Sequence, residues 1–166
     1  MKPLPFLAVV FGVLFALSPC LAQKPGDEIP KLKADADKAR AEAEASSAKD
    51  CTKDCLEAAR KLVELSDAYF TAGNAKDGHA AMHDAGDYAL RAGKAAIETK
   101  KRRKDTEIGL RKLQKRIHDI EETLNFEDRP PVNQILAGIN KSRSDILMSM
   151  FDMPKKELGP EPKENP

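Results

Sequence analysis

The sequence predicts an all-α fold: an elongated antiparallel helical hairpin that thickens into a three-helix bundle of long helices. Three observations predict it. Alanine, lysine, glutamate, arginine and leucine dominate the 166 residues, tryptophan is absent and strand formers are few, a composition that favours helices. Apolar residues recur in heptad steps. Cys51, Cys55, Ala58, Leu62, Leu65 and Tyr69 are spaced 4, 3, 4, 3, 4, and Leu110, Leu113, Ile117, Ile120 and Leu124 are spaced 3, 4, 3, 4, as in helices that pack on helices. Glycine is sparse within these periodic segments.

The chain opens on a short basic start, Met1-Lys2-Pro3, followed by an apolar run from Leu4 to Leu17 and small residues at Cys20 and Ala22. That is the layout of a secretory signal peptide over residues 1–22. The run is too short to span a bilayer, which takes about 20 residues. Export to the periplasm or the medium is therefore expected. The alternative is a lipoprotein anchored through Cys20, although Pro19 stands where a lipobox carries Gly or Ala. Removing Lys2 leaves 27 basic against 27 acidic residues, so no net field draws the chain to nucleic acid.

Residues 23–30 read as a Pro-bounded leader. A first helix is expected over residues 31–72, with strong propensity but little apolar grip before Cys51. Leu56, Ala59, Val63 and Phe70 form a second stripe beside the heptad, so its apolar face is wide. Gly73-Asn74 marks a turn, and Asp77 or a neighbour caps the second helix, expected over residues 77–125. Lys100 to Asp105 interrupts the apolar pattern there. The segment reads as one helix with a register shift, and a kink or break near residues 100–106 is the main alternative. Asp128 to Pro131 stops that helix and starts a third over residues 131–152, because Pro is tolerated in a first turn. Met153-Pro154 ends it. Residues 153–166 read as a disordered tail.

A turn near residue 75 would place residues 31–50 and the last helix beside residues 100–119. The face carrying Leu56, Val63 and Phe70 then has no third helix, and an exposed apolar strip marks a protein partner or a self-association site.

Around the turn, Leu65-Ser66, Tyr69, Gly73, Gly78, Met82 and Ala85 resemble a tetratricopeptide helical hairpin over about residues 56–90. No second copy follows at about 34 residues, so a tandem array is not expected. The resemblance implies a protein-binding scaffold.

Cys51 and Cys55 lie four apart on one helix face and are a candidate disulfide. They are not a Cys-x-x-Cys motif, so thioredoxin chemistry fits poorly. An i, i+4 disulfide needs unusual side-chain geometry or a frayed helix start; two small buried residues is the plainer reading. His79, His83 and Asp87 share the same spacing and are candidate metal ligands, against a solvated face pointing away from the Ala81/Ala85/Tyr88 stripe. Lys100 to Arg116 carries nine basic and two acidic residues. It suits weak contact with an anionic membrane surface or polymer, unless Asp35, Asp37, Glu42 and Glu44 neutralise it. No nucleophile–base arrangement or phosphate loop is present, and no cofactor is implied. The expected function is that of a non-enzymatic exported scaffold or adaptor, acting through protein binding or self-association. The alternative is a small metal- or redox-responsive protein using Cys51/Cys55 or His79/His83.

Overall fold

A computed structural model describes residues 28–47 and 50–151. The signal-peptide reading, Cys20, most of the leader and the tail lie outside the described residues. Within them the chain is all-helical: α1 (Ile29–Ala45), α2 (Cys51–Thr71), α3 (Ala75–Thr99), α4 (Arg103–Thr123) and α5 (Arg129–Met150). None of these helices is long and apolar enough to cross a membrane.

The two long helices expected from the sequence are each divided. Residues 31–72 break after Ala45, where Ser46 turns extended (ψ 145°) and its hydroxyl donates back to the Ala43 carbonyl at 3.0 Å. The Ser47 hydroxyl then donates to the Asp50 carboxylate at 3.0 Å, just before α2 begins. Serine and aspartate bond to nearby backbone outside helices, which is why they favour such ends. Residues 77–125 break at Lys100 and Arg102, both left-handed at φ 55° and 53°. The break was the alternative reading, and its cause is electrostatic. Five consecutive cations from Lys100 to Lys104 repel within a helix, whereas basic residues are favoured at a helix C-terminus.

Cross-helix pairs give the topology. Arg40 and Glu44 of α1 meet Asp84 and Arg91 of α3 in parallel order, while α3 folds back on α2, so α1 and α2 are antiparallel. The Ser66 hydroxyl donates to the Gly78 carbonyl at 2.7 Å, closing α2 against α3 around Gly73, whose φ of 77° the turn requires. The cap of α3 is Asn74, whose side chain accepts from the Asp77 N–H at 3.3 Å; Asp77 donates to the cap and is not itself the capping residue. Glu121 lies beside Arg129 and Glu107 beside Arg143, so α4 and α5 are antiparallel too. Alternate helices run parallel. Arg40 pairs with Asp84 and Glu44 with Arg91 between α1 and α3. Asp67 pairs with Arg116 between α2 and α4. His79 bonds Asp128 and Ile135 lies over Gly86 between α3 and α5. The helices therefore form two layers, α1, α3 and α5 in one and α2 and α4 in the other.

This arrangement corrects the expected placement of residues 31–50. Arg40 and Glu44 lie beside Asp84 to Arg91 because the chain reverses between α1 and α2, and only the end of α1, at Glu42, comes near Arg102. The core runs through every helix: Ala36 and Ala43 from α1, Leu62 and Val63 from α2, Met82 and Ala89 from α3, Leu110 and Ile117 from α4, and Ile139 and Ile146 from α5. Two glycines on α3 admit α5 closely. A Cβ at Gly86 would meet Ile135 at 3.0 Å, and one at Gly93 would meet the Ser142 hydroxyl.

Candidate functional site

The second apolar stripe of α2 is covered by the chain itself. Val63 is 1% exposed. Leu56 reaches across to α4, where a Cβ added to Gly109 would stand 2.9 Å from it. Phe70 meets α3, its ring lying over Gly78 and edge-on to His79 with centroids 5.0 Å apart. Leu56, Val63 and Phe70 are thus no open strip. α4 supplies the third helix that the sequence reading lacked, because the break at residues 100–102 lets it return alongside α2.

A groove remains where α2 and α4 run side by side. It has a volume of about 710 Å³, and Leu56, Val63 and Leu113 give it apolar walls. That volume lies within the ~300–1,000 Å³ usual for ligand sites. Gly109 lets the two helices approach at its base. Thr52 and Thr106 line one end, with Lys53, Asp54, Arg102 and Asp105 around them. Thr106 is satisfied, its hydroxyl donating to the Arg102 carbonyl at 2.8 Å. Thr52 is 2% exposed and its hydroxyl has no partner among the described residues. A buried hydroxyl left unpaired costs about 1–3 kcal/mol.

The charges of the rim fall into two sets. Toward the far end, Arg60 is engaged by Glu57 and Glu64, and Arg116 by Asp67. The Glu57 carboxyl is held below the usual carboxylate range by the Arg60 hydrogen bond. Lys53, Arg102, Lys112, Asp54 and Asp105 enter no ion pair among the described residues. Both signs remain available.

The cysteines lie at the same end, on the other side of the first turn of α2. Their Sγ atoms are 2.9 Å apart. Cys51 is half-buried and is the first residue of α2; Cys55 is fully buried. Burial, with the Cys51 thiol beside it, pushes the Cys55 thiol up to about 12.

The histidines separate. His79 is partly buried, not solvent-facing; its Nε2 lies 3.0 Å from the Asp128 carboxylate and pins the start of α5 to α3. Contact with α5 is the reason, and α5 was not expected on that face of α3. His83 and Asp87 stand outside, 3.6 Å apart and 72% and 63% exposed in their side chains. His79, His83 and Asp87 are therefore not brought to one point, and no group of three His, Cys, Asp or Glu side chains suited to a metal occurs among the described residues.

The basic stretch from Lys100 to Arg116 is not neutralised by α1 as expected. Asp37 is engaged by Lys33 and Arg40, Glu42 by Lys38, and Glu44 by Arg91 and the Tyr88 hydroxyl. Within the stretch, Arg111 pairs with Glu107, Arg116 with Asp67, and Arg103 donates to the Ser149 carbonyl. The remaining six cations have no carboxylate partner among the described residues.

The groove was legible only in part. Its α2 wall was visible as the second stripe, and its α4 wall as the Leu110–Leu124 heptad. Their juxtaposition depended on two breaks without Pro or Gly, and the unpaired Thr52 hydroxyl had no sequence signal. No family model, curated protein or solved structure matches the chain.

Proposed function

We propose that the protein is a non-enzymatic helical scaffold that captures a helical segment of a protein partner in the groove between α2 and α4. The observation that carries this reading is that groove, with its apolar walls at Leu56, Val63 and Leu113 and the unpartnered Thr52 hydroxyl. Two parallel helices side by side form a trough along their length, and residues 52–64 of α2 line it for about 18 Å at 1.5 Å per residue. That length matches about three turns of a docked helix. The free charges of both signs suit an amphipathic segment of mixed charge better than a small ion of one sign. The hairpin of α2 and α3 that resembles a tetratricopeptide unit agrees with a scaffold role. The apolar start of the chain supports export, and the six free cations from Lys100 onward support weak contact with anionic lipid or polymer.

A photo-crosslinking side chain at Lys112, on the groove rim, tests the reading against the same group at Lys94, on the far side of α3. In host extract, Lys112 is expected to give one discrete protein adduct and Lys94 none. Thr52→Val should weaken that adduct while leaving the fold about 1 kcal/mol more stable, because it removes an unpaired hydroxyl. Adducts only between copies of this chain would make the groove a self-association site. Equal adducts at both positions, or none, would contradict the proposal.

A further inference from the structure

We propose that Cys51 and Cys55 are a reversible redox pair that closes to an intrahelical disulfide at the start of α2. Three features of this turn carry the inference. The sulfurs already touch at 2.9 Å. Positions four apart in a helix rise about 6 Å, within the range of Cα separations that disulfides span. The turn can also adjust: Asp50 stands at the N-cap with no side-chain cap bond, and Cys51 is the first helical residue. On its N-terminal side the turn is held by the Cys51 N–H bond to the Ser47 carbonyl at 2.8 Å, and the Asp54 N–H bond to the Asp50 carbonyl is long at 3.3 Å.

Burial assigns the order of events. Cys51 is the thiol that an external disulfide can reach, and Cys55 is enclosed. With glutathione disulfide as oxidant, the Cys51 thiolate attacks one of its sulfurs, forming a mixed disulfide and releasing one glutathione thiolate. The Cys55 thiolate then attacks the Cys51 sulfur, the new S–S bond forms, and a second glutathione thiolate leaves. The protein loses two electrons and two protons, and one glutathione disulfide becomes two glutathiones. Burial raises the Cys55 thiol above its ordinary value, so closure speeds up as the pH rises. Its rate follows the thiolate fraction, rising about tenfold per pH unit between pH 7 and 9.

Thr52, Lys53 and Asp54 lie between the two cysteines and line the groove's end, so the bond fixes that end in place. The bond itself does not depend on what the groove binds.

The test uses the full chain carrying Cys20→Ser, so that only this pair has thiols. After exposure to glutathione disulfide, intact mass should show a monomer about 2 Da lighter than the reduced chain, with no site left for iodoacetamide. Amides of residues 52–56 should exchange at least about tenfold more slowly in that form, since closing the turn removes local opening. Cys55→Ser should stop at a glutathione adduct, and Cys51→Ser should take up none. A persistent adduct on the parent chain, cross-linked dimers, unreacted thiols, or unchanged exchange in residues 52–56 would overturn the proposal. The mass measurement on the parent chain needs no substitution within the pair, so it stands even if a serine variant fails to fold.

Discussion

Both α1 and α5 run parallel to α3, and they reach it by different chemistry. α1 brings Ala36, Ala39 and Ala43 to the core and meets α3 through charge: Arg40 with Asp84, and Glu44 with Tyr88 and Arg91. α5 brings Val132, Ile139 and Ile146 and sets Ile135 over Gly86 of α3, while its Arg143 holds Glu107 of α4 at 2.7 Å. Branched side chains bury far more area than alanine, at about 25 cal/mol per Å². The pairs of α1 are well exposed, and exposed pairs contribute about 0–1 kcal/mol each. α1 therefore gives the core small side chains and α5 large ones.

Matched substitutions sharpen the contrast. Ile139→Ala empties a fully buried site and should cost about 3 kcal/mol. Ala39→Gly on α1 should cost about 1 kcal/mol, mostly helix propensity. Urea unfolding of both variants checks the ratio; equal losses would break the comparison.

The ion pairs should differ in the same sense. Glu107 is 8% exposed and accepts from Arg143 at both Nε and Nη2. Arg143→Met leaves that carboxylate with Arg111 alone, at 3.5 Å, and should cost about 2 kcal/mol. Arg40→Met, at a pair more than one-third exposed on each side, should change stability by less than about 0.5 kcal/mol. The same denaturation series reads both.

Acid should separate the two helices. The Arg91 hydrogen bond, and then that of Tyr88, hold the Glu44 carboxyl below its ordinary value. A lowered folded value means that the stabilisation is complete above the unfolded value of about 4.3. It disappears as the pH falls through the folded value. α1 is expected to loosen from α3 below that point while α5 stays docked, read by amide signals of residues 36–44 against 132–146. Simultaneous loss of both helices would contradict this.

A small effect of the opposite sign is expected at the α3–α4 corner. Lys100 is left-handed at φ 55°, a conformation costing a side-chain-bearing residue about 1–2 kcal/mol. Glycine relieves that strain but orders a freer chain, so Lys100→Gly should stabilise by about 0.5 kcal/mol. A loss of stability in thermal unfolding would show that the lysine side chain matters more than its backbone.

The helix faces were legible in the sequence because heptad spacing reports burial directly. Ala81, Ala85, Tyr88, Ala92 and Ala95 are all buried as their stripe implied, and so are Leu110, Leu113, Ile117, Ile120 and Leu124. α5 begins at Arg129, two residues from the position its Pro pair suggested. Hidden were the reversals. Ser46-Ser47 before Asp50 carried a capping signal that the strong alanine propensity around it masked. The corner at Lys100 and Arg102 uses left-handed residues with no glycine. With the first break unseen and the second only the alternative reading, α1 and α4 fell in the wrong places, and the covered stripe of Leu56 and Val63 read as exposed. Gly86 and Gly93, seven apart and facing α5, were the overlooked sign of a close helix contact.

A preformed groove requires that α2 and α4 hold their positions without a partner and whatever α1 does. Hydrogen exchange along the isolated chain tests that most directly. Amides of residues 55–66 and 106–120 should fall in the slowest class together with α5, with α1 exchanging at least about a hundredfold faster. If α2 and α4 instead exchanged as fast as α1, the groove would not exist before binding, and the scaffold reading would fail.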